Sequence, residues 1–170
     1  MLMMYWQIQQ LTREINNLER QAIKVRTRLS NYQEYASRLG GNTNLFSGNI
    51  AGLSSELIPR ATMFSQYSNY ASSVDAGQQL TMMKSMGLTP VLNNPMMQYN
   101  YDMNAFAQLK KQSMQALKQR EADAMHEIEK EIELELNSID LKIKQKTKMK
   151  ESCEQRLDKR IDDFVPKLGG

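Results

Sequence analysis

His126 is the only histidine and Cys153 the only cysteine in this chain of 170 residues, and the two bound the chemistry the sequence can support. His126-Glu127 opens the His-Glu-x-x-His pattern of a zinc hydrolase helix, but the second ligand would fall on Lys130, whose ammonium has no lone pair to give. One imidazole and one thiol do not build a zinc site, and a lone cysteine closes no internal disulfide. Cys153 lies in a helical pattern and reads as a small packing residue. Eight acidic residues fall between Glu121 and Asp140, yet they lie along an amphipathic rod with no sign of a pocket to shift their pKa values. There is no Gly-rich phosphate loop, no GxSxG and no GxGxxG. The expectation is a non-enzymatic protein with no cofactor and no metal.

The elements that carry these residues are far more legible. From Met1 to Leu39, apolar residues recur at alternating steps of three and four: Met1, Met4, Ile8, Leu11, Ile15, Leu18, Ala22, Val25, Leu29, Tyr32, Ala36 and Leu39. A repeat of about 3.5 residues is the seam of a coiled coil and needs a partner helix. Gly40-Gly41 supplies the stop, so residues 1–39 read as an N-terminal coiled-coil helix of roughly 58 Å. In a parallel homodimer Glu14 would face Glu19 of the partner, and that repulsion favours an antiparallel partner from the same chain.

Residues 40–101 have another chemistry. They are rich in Asn, Ser, Gly, Gln, Met and Tyr, hold three of the four prolines, and carry only Glu56, Arg60, Asp75 and Lys84 as charges. Pro59 suits the first turn of a helix running toward Met86, with Gly87 as its stop and Gly77 as a weak point inside it. Pro90 and Pro95 then break the chain. A stretch this poor in charge is badly suited to bulk water, and its adaptable Met side chains suit contact surfaces. Tyr67, Tyr70, Met82 and Met83 are the residues expected to form contacts between copies.

Residues 102–170 read as a long C-terminal coiled-coil helix ending before Pro166 and Gly169-Gly170. Phe106, Leu109, Met114 and Leu117 begin its apolar pattern; Met125, Ile128, Ile132, Leu136, Ile139 and Ile143 continue it; Cys153, Leu157, Ile161 and Phe164 finish it. The four-residue step from Ile132 to Leu136 is a stutter that locally straightens a supercoil. Leu134 and Leu141 lie on the opposite face, so the stretch is expected to sit between two helices. Residues 132–144 also alternate with period two about Asn137-Ser138, as a β-hairpin would, with Glu133 opposite Lys142. Helical neighbours and the absence of Val, Thr and aromatic residues favour the helix.

The charges choose an orientation. After the acidic block come Lys142, Lys144, Lys146, Lys148 and Lys150, while the first helix offers Lys24, Arg26, Arg28 and Arg38. Laying the two terminal helices antiparallel with flush ends places Arg38 near Glu127 and Glu19 near Lys146, opposite charges that set register. The net charge of +3 and pI near 8.9 arise wholly from the first helix, a solvated basic flank rather than a nucleic-acid footprint. No apolar run approaches the roughly eighteen residues of a membrane span. The start, MLMMYWQIQQ, lacks the positive n-region of a Sec signal, so any export is expected by another route.

The fold expected is all-α and elongated: an antiparallel pair of long terminal helices with a shorter, Pro-interrupted middle. In layout alone it is similar to bacterial axial proteins such as flagellins and secretion-system filament subunits, which implies a structural protein that self-assembles into a filament, tube or other homo-oligomer. Copies of itself are then its partners, through Ile8, Leu11, Ile15, Leu18, Val25, Leu29, Ile132, Leu134, Leu136 and Leu141 on the long helices and the Tyr and Met residues of the middle. The alternative is a coiled-coil adaptor or export chaperone that binds one partner helix.

Overall fold

No proline or glycine interrupts residues 2–39, and the helix that the heptad spacing predicts runs unbroken. The computed structural model describes residues 2–40 and 52–164, and the chain is all-α: α1 (Leu2–Gly40), α2 (Ile58–Ser85) and α3 (Pro95–Phe164), with no strand among the described residues. Met1, Gly41, Pro166 and Gly169-Gly170 lie outside the described residues, as does the side chain of Phe164. Residues 129–148 are continuous helix within α3, so the period-two pattern about Asn137-Ser138 is not a hairpin.

Local punctuation sets the ends of α2. Pro59 falls in its first turn, where the missing N–H costs nothing. At its end Gly87 takes a left-handed φ of 70°. The Gly87 amide donates to the Lys84 carbonyl at 3.1 Å and the Leu88 amide to that of Met83 at 2.9 Å, a Schellman stop. The third helix starts seven residues before the expected boundary at residue 102. Pro95 does not break the chain but opens α3, because Asn94 caps it: its Oδ1 accepts the Met96 amide at 2.9 Å.

The chain divides into two compact units, one of Met1–Ser30 with Glu129–Gly170, the other of Asn31–Ile128. In the first, α1 and α3 run antiparallel, as Glu14–Lys146 (2.8 Å), Arg26–Asp140 (3.3 Å) and Arg28–Glu135 (3.6 Å) show. The last two lie within two positions of the expected register. Lys146, however, meets Glu14 and not Glu19. These two glutamates lie on opposite flanks of the α1 seam, and Lys146 reaches the flank that holds Glu14. Arg38, in the second unit, pairs with Glu34 one turn back, at 2.5 Å.

The second unit joins the end of α1, all of α2 and the first half of α3. Its core is Tyr35, Ala36 and Leu39 from α1, Leu53, Leu57 and Ala61 at the entry to α2, and Ala122 and Met125 from α3. Ion pairs at both ends, Arg60–Glu121 and Lys84–Asp102, show that α2 runs antiparallel to α3.

Candidate assembly surfaces

Within the second unit, α2 is two-faced, and its inner face is made of small residues. Ala61, Ser65, Ser68, Ser72 and Ala76 are buried, at steps of four, three, four and four. The hydroxyls of Ser68 and Ser72 donate to carbonyls of their own helix, those of Ser65 and Asn69, each at 3.2 Å. They therefore bring no unmet polar demand to the interface. Side chains this short let helices pack closely.

Above this stripe a polar cluster fixes α2 in place. Arg60 donates from Nε to Glu121 Oε1 at 2.7 Å and from Nη2 to Oε2 at 3.2 Å, and the Tyr35 hydroxyl donates to the same Oε1 at 3.4 Å. Tyr35 is fully buried. Burial, and then the Glu121 charge, push its phenol pKa well above the usual value. The hydrogen bonds to Glu121 raise the already high pKa of Arg60 further. At the far end of α2, the hydrogen bond from Lys84 holds the Asp102 carboxyl below the usual range. These contacts tie the helices of the unit to one another.

The outer face of α2 is open and apolar. Met63, Tyr67, Tyr70 and Val74 are 70, 62, 73 and 40% exposed and recur at steps of four, three and four, the spacing of a coiled-coil seam. Their mean direction is about 180° from that of the buried stripe. The only charge between Arg60 and Lys84 is Asp75, which lies toward the inner side and accepts a bond from Gln79 at 3.0 Å. The outer face is thus uncharged over its length. Gly77 continues the seam and leaves a notch, in a shallow groove lined by Ser73, Val74, Gln78, Thr81, Met82 and Ser85. Tyr67, Tyr70 and Met82 are open to solvent, while Met83 is half-buried on the inner side.

In the first unit, Ile15 and Val25 of α1 and Ile132 of α3 are buried, and Ile8, Leu11, Leu18, Leu29 and Leu136 are half-buried. The α1 seam is thus covered, though incompletely, because two helices bury only one strip of each other. Leu136 sits off the strip that Ile132 and Ile139 occupy, as its stutter requires. Leu134 and Leu141 are 69 and 59% exposed. The expectation that this stretch lies between two helices is not met within the unit, since α1 covers only the opposite side.

Two features escape a reading of the sequence: the Tyr35–Arg60–Glu121 cluster and the buried serine stripe. The stripe had a signal in the helical spacing of Ser65, Ser68 and Ser72 between Ala61 and Ala76. Among the described residues no group of three or more His, Cys, Asp and Glu is placed to hold a metal ion, and no helix is long and apolar enough to cross a membrane. Comparison with protein-family models, curated proteins and solved structures finds no match for this chain.

Proposed function

We propose that this chain is a non-enzymatic structural subunit whose copies associate with one another through the outer face of α2. The observation that carries the reading is the exposed, uncharged 4-3-4 seam of Met63, Tyr67, Tyr70 and Val74 on a helix whose other face is already satisfied by its own unit. Apolar residues in a continuous stripe mark contact surfaces, and Tyr and Met are the types enriched at interface centres. Growth of such contacts from copy to copy gives a filament, tube or comparable homo-oligomer.

The test is the double variant Met63→Lys with Tyr70→Lys, compared with the parent by sedimentation across a hundredfold concentration range. The parent sediments faster as concentration rises, and negative-stain images show repeating particles. The variant keeps its helical circular dichroism and loses that growth, because each contact would now bury like charges. A parent whose size stays fixed, or that gains mass only by binding one partner helix in fixed ratio, favours the adaptor instead.

A further inference from the structure

In the first unit, Leu134 and Leu141 leave a second apolar surface open. They stand seven residues apart on one side of α3, about 10 Å along its axis. Each follows a buried isoleucine, Ile132 or Ile139, by two positions, so the exposed leucines point about 200° away from the residues packed on α1. The flanking charges have an internal symmetry. Glu131 and Glu133 precede Asn137-Ser138, Lys142 and Lys144 follow it, and all four are exposed. Reversal about that midpoint exchanges Leu134 with Leu141, Glu133 with Lys142, and Glu131 with Lys144.

We propose that a second copy of this chain covers this face, its α3 lying antiparallel on the first about a two-fold axis between Asn137 and Ser138. Leu134 then packs on Leu141 of the second copy, and the symmetry repeats the contact on the other side of the axis. An antiparallel two-fold pair brings each flank of one helix against the same flank of the other. Glu131 and Lys142 share one flank of the leucine stripe, Glu133 and Lys144 the other. Each glutamate therefore faces a lysine of the second copy, about 3 Å from level. A parallel pair brings opposite flanks together and would set Glu131 against Glu133 and Lys142 against Lys144, which opposes pairing. The palindromic letters that resemble a hairpin within one chain thus fit self-complementarity between two. The inference shares the premise of self-association but uses other residues. With the α2 face it gives each copy two distinct self-contacts, enough for open-ended growth.

The test uses the full chain with Met63→Lys and Tyr70→Lys, so that growth through α2 is silent and only this contact remains. That background forms a discrete dimer in sedimentation equilibrium. Adding Glu131→Lys with Glu133→Lys, or Lys142→Glu with Lys144→Glu, weakens the dimer by about tenfold or more in each case. An equimolar mixture of the two restores it as a heterodimer, since every flank pair is again of opposite sign. A background that is monomeric at all concentrations overturns the proposal whatever α2 does, as does a mixture no tighter than its components. If charge reversal costs helicity, Glu131→Cys and Lys142→Cys chains, both in a Cys153→Ser background, replace it. Mixed, they form a disulfide-linked heterodimer on air oxidation, and a preference for Glu131→Cys chains to link instead to Glu133→Cys chains overturns the antiparallel pairing. Persistence of this dimer while the wild-type chain shows no further growth would refute the α2 reading alone.

Discussion

Arg60 grips Glu121 with two parallel hydrogen bonds, 2.7 and 3.2 Å long, across 61 positions of sequence. The Glu121 side chain is only 15% exposed and also accepts from Tyr35, so one carboxylate ties α1, α2 and α3 together. Forked geometry makes such a pair stronger than an ordinary surface ion pair, although the 39% exposure of Arg60 lets water screen part of it.

Glu121→Ala should therefore destabilise the second unit by about 1–3 kcal/mol, because it leaves Arg60 and the buried Tyr35 hydroxyl without an acceptor. Arg60→Ala should cost about 1 kcal/mol. The double variant should be less destabilised than the two added together, with a coupling of about 0.5–1.5 kcal/mol. Strict additivity in denaturant melts would show that the pair contributes geometry but no energy.

Tyr35 gives the second unit an alkaline limit. Its pKa is raised on folding, mainly by burial, so the folded state holds the phenol proton more tightly than the unfolded chain. The resulting stability is fully present below the unfolded value of about 10 and is lost as pH rises toward the folded one. Tyr35→Phe removes this proton linkage. Melting temperatures taken from pH 7 to 11 should fall less steeply for Tyr35→Phe than for the parent, and parallel curves would contradict the assignment.

What the sequence shows and hides follows from range. The limits of α2 were readable because Pro59 and Gly87 act through bonds to their own neighbours. The α1 seam was readable because coiled-coil spacing repeats within one helix. Tyr35 was not, since it stands beside the seam residue Ala36, is buried among residues of α2 and α3 far along the chain, and donates to Glu121, 86 positions away. Ser65, Ser68 and Ser72 fall inside the helix that Pro59 opens, but their polarity does not mark them as a buried face until the helix is packed. The pairing of Glu14 rather than Glu19 with Lys146 depends on which flanks the two helices present, and heptad letters alone do not set that.

The two sides of α3 in the first unit should respond differently to truncation. Ile132 is 2% exposed and Leu134 69%, only two residues further along. Ile132→Ala should cost about 2–4 kcal/mol through lost burial and the cavity left against α1, whereas Leu134→Ala should change stability by less than about 0.5 kcal/mol in dilute solution. Equal costs at low concentration would mean that Leu134 is covered within a single copy.

Gly77 separates the needs of one chain from those of an assembly. It lies inside α2 with ordinary helical dihedrals, since Gly87 is the only described glycine of positive φ, and a Cβ added there meets nothing within 4 Å. For a single chain the glycine is a cost: Gly77→Ala should stabilise α2 by about 0.5–1 kcal/mol, raising the melting temperature of the second unit by roughly 3–6 °C. The same methyl group would stand in the notch on the outer seam, among Val74, Thr81 and Met82. If a side chain of a neighbouring copy enters that notch, the substitution should raise the concentration needed for assembly about threefold or more while the isolated chain becomes more stable. Higher stability with an unchanged assembly threshold would show that neighbouring copies pack elsewhere on α2.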